Sequence, residues 1–104
     1  MDPINFGDVP VVILWCREED YDALLAILED ADDLPKSWKH FAARMEMAEK
    51  AHQDSGKVVA RININPRLFA NWCAIHGKRI TTETAYKFAA EIAIKEQRNA
   101  GRLR

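Results

Sequence analysis

Cys73 and His76 form the one pair of metal-ligand residues in this chain whose spacing suits a shared site. They lie three residues apart in a segment predicted to be helical, so they occupy neighbouring positions on one face. A tetrahedral zinc site needs four such ligands, and no second pair with this spacing is present. Because Phe69 and Trp72 share the same face, we expect Cys73 to be a buried core residue and predict neither a metal nor another cofactor.

Residues for catalysis are present, but they form no recognisable motif. His40 and His52 could act as general bases if Glu49 or Asp54 oriented them, yet such neighbours at a helix end are usually solvated. The chain has no nucleophile elbow of the G-x-S-x-G type and no glycine-rich phosphate loop. We therefore predict no catalytic residues and a protein that is not an enzyme; an enzyme with a pocket that no sequence motif reveals is the least favoured alternative.

The most suggestive polar group is a set of basic residues in the second half of the chain. Gathered at one end of the fold, they could contact nucleic-acid phosphates, and DNA-binding helix-turn-helix proteins also join two helices by a short glycine-containing turn. The helix after this turn is mostly apolar, however, and a net charge of −1 does not favour binding to phosphates. Nucleic-acid binding is the alternative that we disfavour, and its candidate residues are Arg61, Arg67, Lys78 and Arg79.

The net charge of −1 conceals a strong division along the chain. Residues 1–54 contain 13 acidic residues against 5 Lys and Arg, whereas residues 55–104 contain 3 against 10. If the two halves pack side by side, the opposite charges mix on the folded surface. Separate acidic and basic patches would instead steer charged partners. We favour mixing, because halves of a sequence need not become halves of a fold.

Composition predicts one globular domain over residues 1–104. The 104 residues are 48% hydrophobic and 30% charged, with 4 Gly, 4 Pro and 15 Ala, which favours helix over strand. Cys16 and Cys73 each follow a Trp in an apolar stretch, so we expect free thiols in the reducing cytoplasm. The apolar run at residues 9–16 is too short to span a membrane, and we expect no membrane partner.

Hydrophobic periodicity predicts two strands and four helices. The apolar run Val9–Cys16 predicts a strand covered on both faces, and the alternation over Lys57–Asn65 predicts a half-buried strand. Helices are predicted over about Asp20–Ala31, from Pro35 or Ser37 to about Asp54, over Pro66–His76, and from Thr81 or Thr82 to about Asn99. Leu68, Phe69, Trp72 and Ile75 supply the apolar stripe of the third helix.

The resulting order, β-α-α-β-α-α, predicts a small α+β or α/β domain in which two strands pack against four helices. Two strands rarely form a stable sheet alone, so either the helices cover the sheet completely or a second copy of the chain extends it. The fourth helix is apolar around most of its circumference, which favours the second possibility. We therefore expect a non-enzymatic interaction module, namely a homodimeric protein-binding or regulatory domain for which a protein partner is possible.

The expected dimer interface combines a strand edge with a helix face. Alternation places Val59, Arg61 and Asn63 on the outward side of the second strand, where an open edge could pair with a second copy. Phe88 and Ile92 on the wide apolar face of the fourth helix would supply further area.

Overall fold

A computed structural model describes the backbone of residues 10–102 and the side chains of residues 10–96. It contains two strands and four α-helices in this range, which confirms the predicted α+β domain. Val9, where the first strand was expected to begin, lies outside the described residues. The elements are β1 (Val11–Trp15), α1 (Glu18–Ile27), α2 (Trp38–Asp54), β2 (Val59–Asn63), α3 (Pro66–His76) and α4 (Thr82–Arg102), with a single 3-10 turn at Ala31–Asp33.

The two strands form a parallel sheet. Val11 pairs with Val59 and Trp15 with Asn63, without a bulge between them. A parallel partner requires the chain to return to the same end of the sheet, and the crossover here consists of α1, the 3-10 turn and α2. Both strands are shorter than predicted, because the apolar pattern continues beyond the paired residues into the adjoining loops.

Helices cover both faces of this small sheet. Trp15 contacts Trp38 and Phe41 of α2, with ring centroids 6.0 and 6.2 Å apart, so α2 lies on the face of the sheet to which Trp15 points. Side chains alternate along a strand, so Leu14 and Ile62 point to the other face, and both are buried. Because α4 also contacts both strands, we assign that face to α4.

The boundaries of α3 follow from local chemistry and match the prediction. The Asn65 side chain accepts hydrogen bonds from the amides of Arg67 and Leu68, and Pro66 occupies the first helical position. Gly77 ends the helix with a φ of 63°, a left-handed conformation that costs glycine little because it has no Cβ.

The first helix differs from its prediction at both ends. It begins at Glu18 rather than Asp20, which places Glu18, Glu19 and Asp20 in the first turn, where carboxylates favour the helix dipole. It ends at Ile27 rather than Ala31, because the amide of Glu29 donates to the carbonyl of Ile80 at 2.8 Å instead of continuing the helix.

The start of α4 is held by its own residues and by a distant carboxylate. Thr81 is the N-cap, and its side chain accepts from the Thr84 amide while the Thr84 hydroxyl accepts from the Thr81 amide. Asp30 accepts hydrogen bonds from both the amide and the hydroxyl of Thr82, at 3.0 and 2.7 Å. The segment after α1 therefore caps α4 across a long sequence separation.

The core joins the acidic and basic halves of the sequence. The largest fully buried side chains come from both halves, from α1, α2 and α3 and from the loops after the two strands; they are Tyr21, Phe41, Phe69, Ile64, Cys16 and Cys73. Two ion pairs also cross between the halves, Arg61 with Glu49 and Arg79 with Glu29. The structure thus mixes the opposite charges at these contacts, as the sequence favoured.

Removing the Asp30 carboxylate should weaken the start of α4. Asp30→Ala leaves the Thr82 amide and hydroxyl without their acceptor, and we expect the free energy of unfolding to fall by about 1–2 kcal/mol in urea denaturation. Asp32→Ala is the matched control, since Asp32 lies two residues later, in the 3-10 turn that Asp30 precedes, and is exposed; its effect should stay within about 0.5 kcal/mol. Equal losses in the two variants would contradict the role assigned to Asp30.

Candidate functional site

The outer edge of β2 is the strongest candidate for an interaction site. The amide of Val11 donates to the Val58 carbonyl and the amide of Ile64 to the Trp15 carbonyl, each at 2.8 Å. In a parallel ladder these two bonds fix which groups face inward. The amides and carbonyls of Val59, Arg61 and Asn63 therefore face away from β1, and the hydrogen bonds found within residues 10–102 include none to them.

The surroundings of β2 leave this edge accessible. Both α2 and α4 lie more over β1 than over β2. Arg61 and Asn63 are exposed, Val59 is half-buried, and Val58, just before the strand, exposes 55% of its surface. In β1, by contrast, Ile13 and Leu14 are both buried. The three strand residues expected in a dimer interface thus lie together along one open edge, which we call the β2 edge.

The two helical residues expected in the interface lie elsewhere. Phe88 packs between Phe69 and Trp72; its ring centroid lies 5.6 Å from that of Phe69 and 5.4 Å from that of Trp72. Ile92 is half-buried against the core. The wide apolar face of α4 is therefore used largely within the chain. Within residues 82–96, the large apolar side chains that α4 leaves exposed are Tyr86 and Ile94.

Arg61 is held in place by two contacts on the α2 side of the sheet. Its guanidinium carbon lies 4.1 Å from the centre of a Trp15 ring, and its Nη2 donates a hydrogen bond to Glu49 of α2. A cation over an aromatic face and a carboxylate in contact with it both stabilise the charged group. Arg61 thus links β2 to β1 and α2, and its charge is already partnered.

The four basic residues proposed for nucleic-acid binding do not gather at one place. Arg67 lies in the first turn of α3, whereas Lys78 and Arg79 follow its last turn. An 11-residue helix separates these ends by about 16 Å. Arg79 also donates from Nε to Glu29 at 2.7 Å. Of the four cations, two are therefore paired with carboxylates, and the other two lie at opposite ends of one helix.

The spacing of Cys73 and His76 does not produce a shared pair of ligands. Cys73 is buried, and its Sγ lies 3.7 Å from the Arg79 carbonyl oxygen, to which it donates. His76 is exposed, with its ring 4.8 Å from that of Trp72. Within residues 10–96 no group of three His, Cys, Asp or Glu side chains is placed to hold a metal ion.

The histidines and carboxylates considered for acid–base chemistry are not arranged in pairs. The Nδ1 atom of exposed His40 lies 2.7 Å from the hydroxyl of Ser37, the N-cap residue of α2. Glu49 pairs with Arg61, and Asp54 lies 3.5 Å from the Lys50 ammonium. These two carboxylates are therefore engaged with cations and do not orient a histidine.

One exposed apolar face was not anticipated. The sequence assigned Leu68, Phe69, Trp72 and Ile75 to one apolar stripe of α3, but Leu68 and Ile75 expose 57% and 79% of their surfaces, while Phe69 is fully buried. Leu68 and Ile75 are seven residues apart and share a side of the helix with half-buried Trp72. The sequence contained a signal for this exposed face. Phe69 and Cys73, four residues apart, form one stripe on the core side of the helix, and Leu68, Trp72 and Ile75 form a separate one.

Arg61 should matter for stability. We expect Arg61→Ala to lower the free energy of unfolding by about 1–2 kcal/mol, since it removes a cation–π contact and a partly buried ion pair. Arg67→Ala, at an exposed position of α3, should change it by less than about 0.5 kcal/mol. Chemical denaturation measures both variants, and the assignment fails if the two values agree.

The Cys16 thiol should be inert in the folded protein. Burial, aided by the nearby Asp20 carboxylate, raises its pKa from 9.0 to about 12, and only the thiolate is an effective nucleophile. At pH 8 we expect iodoacetamide to leave Cys16 unmodified in the native protein and to alkylate it in guanidinium chloride, as read by peptide mass spectrometry. Native-state alkylation at the rate of a free thiol would contradict this assignment.

The raised pKa of Cys16 also means that the free energy of unfolding falls as the pH rises from about 9 towards 12, because the thiol ionises first in the unfolded chain.

Comparison with known proteins identifies no relative. No family model matches the chain, and no curated protein or solved structure matches it significantly. Within the helices of the described part, no stretch is both long enough and apolar enough to cross a membrane. What the chain does must therefore be inferred from its own residues and contacts.

Proposed function

We propose that this chain is a non-enzymatic interaction module that works as a homodimer, with β2 of one copy paired to β2 of a second. The observation that carries the proposal is the β2 edge, where the outward amides and carbonyls of Val59, Arg61 and Asn63 face away from β1. Unpaired groups of this kind are a template for another strand. A second copy offers the same edge, and a two-fold axis brings the two together in antiparallel orientation.

The charge of Arg61 selects among the registers available to such a pair. A two-fold axis through Arg61 would place the two arginines directly opposite one another, which is unfavourable. An axis through Ala60 instead places Val59 opposite Arg61 of the second copy and exposed Val58 opposite Ile62. The outward groups of Val59 and Arg61 can then form four hydrogen bonds across the interface.

The size of this contact indicates a dimer of modest affinity. A lasting interface needs about 1,000 Å² of buried surface, and a short strand pair supplies only part of that. Val58, which is exposed and adjoins the edge, adds apolar area at the interface. We therefore propose a dissociation constant in the micromolar range, suited to an assembly that forms and separates in response to concentration or to a partner.

Two features of the described residues support a role without catalysis. The buried Cys16 thiol, with a pKa of about 12, is not a nucleophile near neutral pH. The carboxylates nearest in sequence to His52 pair with Arg61 and Lys50 instead. The cytoplasm is the proposed location, because both cysteines are free, and a reducing compartment keeps thiols in that state.

Nucleic-acid binding is the alternative, and the positions of the basic residues do not favour it. Arg61 and Arg79 already have carboxylate partners, and Arg67 and Lys78 lie about one helix length apart. A shift of duplex DNA by micromolar protein at about 50 mM salt, weakening as salt rises, would reverse this preference.

The dimer can be tested with a proline at an outward-facing amide. At about 100 µM, light scattering should report about twice the 11.9 kDa chain mass for the parent protein. Val59→Pro should shift the mass to that of a single chain, because it removes an outward donor while leaving the amides that bond to β1. The variant should keep its circular dichroism spectrum, because proline is tolerated at the first residue of a strand.

Val59→Thr is the matched control, since it keeps the amide and the β-branched shape and should remain dimeric. A parent protein that stays at 11.9 kDa at all concentrations would refute the dimer. A Val59→Pro variant that folds and stays dimeric would show that the β2 edge is not the contact.

A further inference from the structure

The outer face of α3 carries an apolar stripe that the fold buries only in part. Leu68, Trp72 and Ile75 follow one another at four- and three-residue intervals, which places them on one side of the helix. Leu68 and Ile75 are among the most exposed large apolar side chains of the described residues. The stripe spans about 10 Å along the helix axis, which is the length of two turns.

The tryptophan at the centre of the stripe is held in a fixed orientation. Its Nε1 donates to Glu91 of α4 at 3.1 Å, and its rings lie against those of Phe88 and His76. A large aromatic side chain that is already ordered loses little entropy when a partner covers it. Trp72 therefore has the properties of an interface anchor, with an apolar residue on either side of it along the helix.

Two positive charges lie near the ends of the stripe. Arg67 and Lys78 are exposed, and the ion pairs found within residues 10–96 include neither of them. Glu91 of α4, the carboxylate that accepts from the Trp72 indole, also pairs with Lys95 at 3.3 Å. The two border charges of the stripe therefore have no carboxylate partner among those ion pairs.

We propose that this face of α3 binds an amphipathic, acidic helix of a partner protein, with apolar residues over Leu68, Trp72 and Ile75 and carboxylates near Arg67 and Lys78. Recognition of a helix by such a stripe uses anchors at intervals of three, four and seven residues. The border charges choose among possible occupants. An antiparallel α3 from a second copy would place Arg67 opposite Lys78, so like charges would face each other.

The binding can be measured with two designed peptides of about 18 residues, labelled with fluorescein. Both carry leucines at helical intervals of three and four, and their remaining positions are mostly glutamate in one peptide and lysine in the other. In fluorescence anisotropy, we expect the acidic peptide to bind at least about tenfold more tightly than the basic one. The double change Arg67→Glu and Lys78→Glu should reverse this preference.

Ile75→Glu tests the apolar part of the site. It should weaken binding of the acidic peptide by about tenfold or more, because it puts a negative charge within the apolar contact. The position is 79% exposed, so the fold should tolerate the change. Met47→Glu is the matched control, since Met47 of α2 is 73% exposed and lies away from α3, and binding should be unchanged.

Several outcomes would overturn the proposal. They are equal affinity for the two peptides, no binding of the acidic peptide at about 100 µM, and binding that Ile75→Glu leaves intact.

Other occupants of this face would give different results. Binding to phosphatidylserine vesicles that depends on Ile75, in place of peptide binding, would assign the face to a membrane surface. Loss of self-association in Ile75→Glu would assign it to a second copy. Because Val59→Pro alters only the β2 edge, it should still bind the acidic peptide, which separates this test from that of the dimer.

Discussion

The parallel pairing of β1 with β2 is the constraint on which the rest of the structure depends. Parallel strands need a long crossover, and here it is made of α1 and α2. The pairing also places the starts of α1 and α3 at the same end of the sheet, where these two helices contact each other. With α2 and α4 over the two faces, and chiefly over β1, the sheet remains exposed along β2. This open edge is a consequence of having only two parallel strands in the described range.

Local signals in the sequence were sufficient for some elements and insufficient for others. Asn65, Pro66 and Gly77 set the limits of α3 through contacts within a few residues, so its boundaries could be predicted. The end of α1 could not be predicted, because Glu29 leaves the helix to bond with Ile80, a residue far away in sequence. Periodicity measures which residues are apolar, but it does not show which distant backbone group will accept a hydrogen bond.

The same distinction applies to the candidate site. Alternation along the second strand placed Val59, Arg61 and Asn63 in one group, and all three lie along the β2 edge, because side chains and backbone groups alternate with the same period of two. The packing of Phe88 could not be predicted in the same way, because α3 packs against α4 and supplies Phe69 and Trp72 as its neighbours. Nor could the partners of Arg61 be foreseen, since Trp15 and Glu49 reach it from two other elements. Residues on one element could be grouped from sequence, whereas contacts between elements required the fold.

The contacts between the end of α1 and the start of α4 have a consequence for local unfolding. Asp30 and Glu29 hold Thr82, Ile80 and Arg79, so the first turn of α4 depends on the position of α1. When one of these segments opens, the other loses hydrogen bonds at the same moment. The two segments should therefore exchange their amide hydrogens as one cooperative unit, although fifty residues separate them along the chain.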